Sequence, residues 1–384
     1  MTSLSTRELV NRHPHIFALG ADVRKHLILE MYCDHHMLST LRTCEAKFYE
    51  EQLAHVGTKT SRYFSLEFGI WLHEALDKYY TGWKKFGQPP VLDEWVDWAL
   101  KLWNEMRMDD FAPAPATLTK EMRGDTKKYY DFCKWDTKGA ITRLLIQYYA
   151  FYMNQRMRVV DTEISFGRAR EVPLGTLIIK QNTYVDYSCT GKPYTHAIRC
   201  FLTGRIDLLV DNGTKIGPVD HKSTARFDGY ESNDFDPHEG ITGYIFAVNS
   251  ILKNHAEPEG IGATTPIRAP QVCNSGWIHH ISLADSEPRF KPTLITKTNQ
   301  QLEEYRMRQL RACKRVYELA SSSAKLENYG AVEFATDKCN NIYNSPCPFR
   351  ELHRQPFIQR EGTIAQFYEI KPAWNPAAKK EEKK

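Results

Sequence analysis

The spacing of hydrophobic positions in the first part of the chain is typical of helices. Residues 66–83 form an amphipathic pattern with a period of three to four, and residues 141–153 are apolar enough for a buried helix. Residues 1–60 are interpreted as mostly helical, with Ser39 as an N-cap, and 84–140 as helices joined by loops. The buried side of the 66–83 helix is predicted to carry Leu72, Leu76 and Tyr80.

After residue 158 the pattern changes to an alternation of apolar and polar residues, rich in β-branched side chains, which predicts a sheet. The apolar stripe of a later segment, 297–320, predicts a long helix in which Cys313 is a core residue. The predicted strands lie within RVVDTEISF, TLIIKQNTYV, HAIRCFLTGRIDLLV, KIGPVDHKST and WIHHISL, with a helix predicted at 240–253.

Composition and charge narrow the class of protein. The 384 residues are 42% hydrophobic and 26% charged, as in globular proteins, so a packed core is feasible. Lys and Arg number 51 against 47 Asp and Glu, a formal net charge of +4, so any nucleic acid would have to bind in a local basic groove. No apolar run approaches the ~18 residues of a membrane span and no signal peptide pattern is present, which predicts a cytoplasmic protein with no membrane association.

The stretch 204–224 carries the candidate chemistry. Asn212-Gly213 between two apolar runs predicts a β-hairpin with a two-residue turn, which would pair Asp211 with Thr214. In that register Asp207 and Asp220 are diagonal neighbours about 7–8 Å apart, and Lys222 lies on the same face. Two carboxylates and a backbone carbonyl suit Mg²⁺, and a nearby ammonium could activate water and offset charge on a phosphate. Two Asp and a Lys on one face of a sheet are more often a solvated surface with an ion pair, so spacing alone leaves both interpretations open.

These residues resemble the PD-(D/E)XK nuclease superfamily, in particular its RecB-like exonuclease branch of phage exonucleases and AddB-like proteins. The signature Gly-x-x-Asp then Asp-x-Lys is present as Gly204-Arg205-Ile206-Asp207 and Asp220-His221-Lys222. An upstream Gly-x-x-x-His is matched by Gly69 to His73, and the Glu of the preceding strand by Glu163. The branch continues with Gln-x-x-x-Tyr, where this chain has Tyr244 but Gly240 in place of Gln.

The resemblance implies an α/β fold, a mixed central sheet flanked by helices as in a restriction-endonuclease-like nuclease core, with helical N-terminal and C-terminal additions. Asp207, Asp220, Lys222, His73 and Glu163 would be catalytic; Asp207, Asp220, His73 and the carbonyl of His221 would hold Mg²⁺ or Mn²⁺; Tyr244 would orient DNA. The implied division is a helical region at 1–65, a nuclease core at 66–296 with a helical insertion at about 84–140, a C-terminal segment at 297–371 and a disordered tail at 372–384.

The nine cysteines are odd in number and scattered, which argues against a disulfide framework. Members of the RecB-like branch can hold a 4Fe-4S cluster with one N-terminal and three C-terminal cysteines. The corresponding positions here are Cys44, Cys339, Cys347 and His353, where histidine replaces the last cysteine. An iron–sulfur cluster, a zinc site, or no metal with Cys44 packed in the core all remain open.

The function that follows is a metal-dependent DNA nuclease, an exonuclease of recombination, repair or phage DNA metabolism, in the host cytoplasm if phage-encoded. Its partner would be DNA, with a single-strand annealing or other recombination protein as a further partner. The alternatives are a nuclease-fold protein that binds DNA or a partner without cutting it, and a zinc-stabilised binding module.

Overall fold

The fold is described from a computed structural model. The structure describes residues 6–21, 27–58, 64–108, 137–155, 157–180, 195–224, 239–254, 273–282, 288–321, 347–355 and 357–371. The predicted disordered tail at 372–384 and Cys339 lie outside the described residues.

Ten helices are found in the described part of the chain. They are α1 Thr6–Arg12, α2 His35–Thr43, α3 Glu45–Phe48 (continued by a π-helical turn, Tyr49–Leu53), α4 Phe64–Phe86, α5 Leu92–Glu105, α6 Thr137–Tyr152, α7 Glu239–Asn254, α8 Asn299–Ser321, α9 Arg350–Arg354 and α10 Phe357–Phe367. The predicted helices at 66–83, 141–153, 240–253 and 297–320 are confirmed, with Cys313 buried.

Ten strands are described in the same part of the chain. They are β1 Phe17–Ala21, β2 Leu27–Asp34, β3 Val56–Thr58, β4 Arg158–Phe166, β5 Pro173–Lys180, β6 Thr195–Asp211, β7 Ile216–Thr224, β8 Ser275–Ser282, β9 Arg289–Thr296 and β10 Tyr368–Ile370. Eight of them form one mixed sheet, and β3 pairs with β10 separately. With its flanking helices, this sheet confirms the predicted α/β class.

The chain divides into two compact units. The first comprises Met1–Thr60, Ser165–Gly204 and Glu303–Lys384, and the second comprises Ser61–Ile164 and Arg205–Leu302. Strand β6 contributes residues to both, because the division falls between Gly204 and Arg205.

In the first unit, β2 pairs with β1 in the antiparallel sense and with β6 in the parallel sense. The prediction that residues 1–60 are mostly helical was therefore wrong for β1 and β2. Ser39 is also not an N-cap, since it lies inside α2, whose N-cap is Asp34 with Oδ1 accepting the Met37 N–H at 2.8 Å. The run LILEMYCD before Asp34 supplies the apolar, β-branched and aromatic residues that favour a strand.

In the second unit, β7 pairs antiparallel with β6 and parallel with β8, and β9 closes the edge in the antiparallel sense. Helices α4, α5 and α6 pack with one face of these strands around a core rich in aromatic rings. Its largest fully buried side chains include Trp71, Trp103, Tyr79, Tyr80, Tyr148 and Tyr152.

Two reciprocal hydrogen bonds fix α4 against α5. The indole N–H of Trp71 donates to the carbonyl of Ala99 at 3.0 Å, and that of Trp95 donates to the carbonyl of Ala75 at 2.8 Å. Buried indoles retain a polar partner in this way while the rings fill the core. These two bonds therefore hold helix α4 at Trp71 and at Ala75, on either side of His73.

Candidate functional site

The hairpin joining β6 to β7 is wider than the sequence predicts. Asp211 pairs with Ile216, so the loop has four residues, and the predicted pairing of Asp211 with Thr214 was wrong. The side chain of Asn212 explains the difference, because its Oδ1 accepts the N–H groups of Thr214 at 3.1 Å and Lys215 at 2.9 Å. An Asn that replaces backbone acceptors in this way stabilises a larger turn.

The register moves by two residues, which leaves every side chain on its predicted face. Regular pairing of the two strands ends at Leu208 and Val219, so Asp207 and Asp220 are the next positions on each side rather than diagonal neighbours. Beyond that point the Asp207 carboxylate takes the place of a backbone carbonyl as acceptor, since its Oδ2 accepts the backbone N–H of His221 at 3.1 Å.

Asp220 is buried and Asp207 is half-buried beside it. The side chain of Asp220 is 2% exposed and that of Asp207 is 16% exposed. Burial and the charge of Asp220 raise the pKa of Asp207 to about 7, partly offset by Lys222 and by the His221 N–H. Two carboxyl groups this close favour sharing a proton or a cation over carrying two uncompensated charges.

Lys222 and His73 complete the group. Lys222 Nζ lies 3.0 Å from Asp220 Oδ1, and His73 Nδ1, on α4, lies 3.5 Å from Asp207 Oδ2. Burial lowers the pKa of Lys222, but Asp220 and Asp207 outweigh it and the net shift is upward, so the ammonium stays charged. Burial and Lys222 lower the pKa of His73, which leaves its imidazole neutral at pH 7.

The side chain of His221 belongs to a buried hydrogen-bonded series that the sequence analysis missed. Tyr80 and Tyr148 hydroxyl oxygens are 2.7 Å apart, and the Tyr148 hydroxyl lies 3.3 Å from His221 Nε2. Burial lowers the pKa of His221 well below its ordinary value, so the ring is neutral. The alternation of β7 could have shown that this ring points away from Asp220, but its tyrosine partners come from distant helices.

Glu163 lies on β4 and forms an ion pair with Arg205, with 2.8 Å between Oε2 and Nε. Its backbone has a φ of +48°, which is uncommon for a residue other than Gly. Both side chains lie within electrostatic range of His73, because their charges contribute to its pKa. Arg205 was not among the predicted site residues, although it lies inside the Gly-x-x-Asp motif.

A protein-family model of the PD-(D/E)XK nuclease superfamily matches residues 35–351, which is most of the chain. The chain belongs to the PD-(D/E)XK nuclease superfamily. This membership indicates a metal-dependent nuclease. No curated protein matches the chain. Among solved structures that match, the crystal structure of SSO0001 is 11% identical, with 77% of this chain and 90% of that chain covered and a TM-score of 0.20.

The donor set of this PD-(D/E)XK chain fits a divalent cation at two carboxylates. No group of three or more His, Cys, Asp or Glu side chains suited to a metal occurs in the described residues. Asp207 and Asp220 could supply two carboxylate oxygens to a divalent cation, with a backbone carbonyl and water completing the oxygen ligands. Burial and the charge of Asp220 raise the pKa of Asp207, and a cation bound there would relieve the repulsion between the two carboxylates.

Tyr244 and Gly240 of this PD-(D/E)XK chain both lie on α7. Tyr244 is half-buried and Gly240 is buried. The DNA-orienting role of Tyr244 remains a prediction.

Of the predicted cluster residues, Cys44, Cys347 and His353 lie in the first unit. Cys44 is buried at the start of α3, and Cys347 packs in a small cluster with Val56 and Tyr368. His353 Nε2 lies 3.7 Å from Glu50 Oε1. Because Cys339 lies outside the described residues, the four-residue cluster site remains a prediction.

No helix in the described segments has the length and hydropathy that a membrane span requires. Within the superfamily, assignment to the RecB-like branch remains a prediction.

Proposed function

We propose that this chain hydrolyses phosphodiester bonds of DNA, with Mg²⁺ or Mn²⁺ held between Asp207 and Asp220. The observation that carries the proposal is the pair of neighbouring carboxyl groups, buried Asp220 and half-buried Asp207, beside a charged lysine. A structural ion pair needs one carboxylate for one ammonium, whereas this arrangement adds a second, half-buried carboxylate that a divalent cation would neutralise.

Each side chain has a role that its environment favours. A divalent cation at this position would polarise a phosphoryl oxygen as a Lewis acid. Lys222, held as an ammonium by Asp220, would orient the attacking water and offset negative charge that develops on the phosphate. His73, neutral at pH 7, would accept a proton from that water or act as a further ligand.

The buried series behind the site would fix the orientation of β7. Tyr148 holds the ring of His221, whose backbone N–H holds the carboxylate of Asp207. The carbonyl of His221 would be a further metal ligand, as the family motif implies.

More specifically, we propose exonuclease action in recombination, repair or phage DNA metabolism. The resemblance of the motifs to the RecB-like branch supports this proposal. The test is degradation of end-labelled linear DNA and covalently closed circular DNA with Mg²⁺, with EDTA, and with Asp220→Ala. We expect metal-dependent loss of linear DNA alone. Cleavage that persists in Asp220→Ala would contradict the assignment of the site, and cleavage of circles would contradict exonuclease action.

A cofactor bound by the predicted cysteine and histidine ligands is a separate proposal, and a different measurement tests it. A 4Fe-4S cluster at Cys44, Cys339, Cys347 and His353 would give anaerobically purified protein a brown colour and visible absorbance. Metal analysis showing zinc would favour a tetrahedral zinc site instead, and a metal-free protein would contradict both.

A further inference from the structure

The geometry points to Arg205 as a binding residue for a backbone phosphate of the nucleic acid next to the scissile bond, with Glu163 as the residue that positions it. The inference rests on the proposed function, because it assigns a substrate contact at the same site. The predicted catalytic set does not include Arg205.

The first support is the position of Arg205 on its strand. Arg205 and Asp207 are two residues apart on β6, so their side chains emerge from the same face. The rise of about 3.3 Å per residue separates them by about 7 Å. A strand of nucleic acid whose reacting phosphate lay at Asp207 would therefore place a neighbouring phosphate within reach of a long Arg side chain.

The second support is the local break in β4 at Glu163. Its φ of +48° is one of three positive values at residues other than Gly in the described chain, and the burial pattern of β4 loses its alternation at Asp161–Glu163. Such a break re-aims a side chain, here toward Arg205, where the carboxylate accepts from Nε at 2.8 Å. Strained residues of this kind are concentrated at functional sites.

The third support is the balance of charge around the aspartates. Asp207, Asp220 and Glu163 are acidic, and Lys222 is engaged with Asp220. Lys222 and a bound divalent cation would act on the reacting phosphate, so a neighbouring phosphate of the strand needs a further positive charge within reach of solvent. The side chain of Arg205 is 36% exposed, and a carboxylate occupies at most two of the five N–H donors of a guanidinium. The remaining donors suit bidentate binding of a phosphate.

The family resemblance places Glu163 in the catalytic set, so a competing role for Glu163 is direct contact with the cation. The two roles differ in what each substitution changes. If Glu163 positions Arg205, then Glu163→Gln and Arg205→Ala weaken nucleic acid binding and leave cation binding intact. If Glu163 is a ligand, Glu163→Gln weakens cation binding and Arg205→Ala has little effect on nucleic acid.

The chain provides a matched control at the other end of the same two strands. Arg158 on β4 pairs with Asp211 on β6, with 3.0 Å between Nη2 and Oδ2. Asp211 lies six residues from Arg205, which places it about 20 Å away along the strand. Arg158→Ala removes one positive charge and one ion pair between β4 and β6, far from the aspartates.

The experiment measures binding of a fluorescent single-stranded or duplex oligonucleotide by anisotropy, with Mg²⁺, at several salt concentrations. An Asp220→Asn background prevents cleavage, and Arg205→Ala, Arg205→Lys, Glu163→Gln and Arg158→Ala are added to it. We expect Arg205→Ala to weaken binding about tenfold and to reduce the slope of log K against log salt by about 0.7–0.9, the value for one phosphate contact. Arg205→Lys should lose less, and Arg158→Ala should bind as the background protein does.

Mn²⁺ affinity is measured by calorimetric titration of proteins that carry Arg205→Ala or Glu163→Gln alone, without Asp220→Asn. Each variant should bind Mn²⁺ with the wild-type affinity. Unchanged nucleic acid binding in Arg205→Ala, an equal loss in Arg158→Ala, or loss of Mn²⁺ affinity in Glu163→Gln would overturn the inference. Failure of the proposed function gives a different result, since the wild-type protein would then not cut DNA. If wild type cuts and Arg205→Ala binds normally, the phosphate contact alone is wrong.

Discussion

The backbone N–H of His221 donates a hydrogen bond of 3.1 Å to Oδ2 of Asp207. This bond lies one step beyond Leu208 and Val219, where regular pairing of the two strands ends. The carboxylate of Asp207 thus takes a place that a backbone carbonyl would otherwise fill, and it is held against Asp220. The end of the strand ladder is therefore what creates the candidate cation site.

The elevated pKa of Asp207 predicts that cation affinity depends on pH. Burial and the charge of Asp220 raise this pKa to about 7, so a cation must displace a proton below that pH. We expect the apparent Kd for Mn²⁺, measured by calorimetry, to increase by up to about tenfold per pH unit below about 7. Equal affinity at pH 6 and pH 8 would contradict the shared-proton description.

The same shift predicts how stability changes with pH in EDTA. The folded-state pKa of about 7 lies above the unfolded value of about 3.9, so the folded protein binds the extra proton between these pH values. This contribution is complete below about pH 4 and is lost as the pH rises through 7. Asp207→Asn should therefore melt at a higher temperature than wild type at pH 8, with little difference at pH 4. Asp211→Asn is the control, and a lower melting temperature for Asp207→Asn at pH 8 would refute the assignment.

The Tyr148 hydroxyl is predicted to stabilise the protein by linking two buried groups. Tyr148→Phe removes the partner of the Tyr80 hydroxyl at 2.7 Å and of His221 Nε2 at 3.3 Å. We expect a loss of about 1–3 kcal/mol in the free energy of unfolding, measured with denaturant, because both groups stay buried. Phe151, on the same helix and 41% exposed, provides the control variant Phe151→Leu. A Tyr148→Phe protein as stable as wild type would show that the series does not contribute.

Two glycines near the site are predicted to respond in opposite ways to alanine. A Cβ on Gly217 of β7 would lie 2.4 Å from the backbone oxygen of Ser275, a contact that no side-chain rotation relieves. Gly217→Ala should lower the free energy of unfolding by more than about 1 kcal/mol. A Cβ on Gly69 of α4 meets nothing within 4 Å, so Gly69→Ala should raise stability by about 0.5–1 kcal/mol. Thermal unfolding of both variants checks this pair, and loss of stability in Gly69→Ala would contradict it.

Hydrophobic spacing in the sequence was sufficient to predict α4, α6, α7, α8 and strands β4 to β8, but it did not predict β9 or β10. It failed in the N-terminal region, where Asp34 and not Ser39 is the N-cap of α2. The sequence pattern alone does not decide between two candidate capping residues five positions apart. Strand β2 pairs with β6, which is far away in the sequence, so local patterns do not reveal this partner.

The site was predictable in composition but not in detail. The alternation of side chains along the two strands placed Asp207, Asp220 and Lys222 on one face. The predicted turn length was wrong, but the register changed by two residues, so the three side chains stay on one face. The side chain of Asn212, which widens the turn, acts through hydrogen bonds that no periodicity reveals. The ion pair of Glu163 with Arg205 depends on one positive φ, which has no sequence signature at a Glu.

The proposed function requires that Asp207 and Asp220 hold a divalent cation that cuts phosphodiester bonds. The most direct measurement is the single-turnover rate of cleavage of end-labelled DNA with Mg²⁺, for wild type, Asp207→Asn, Asp220→Asn and the control Asp211→Asn. Asp207→Asn and Asp220→Asn should each lose the charge stabilisation that a bound cation supplies. Their cleavage rates should therefore fall on the order of 10³-fold. The control should cut at the wild-type rate, and EDTA should abolish all cleavage. Site variants that cut as fast as the control would contradict the account.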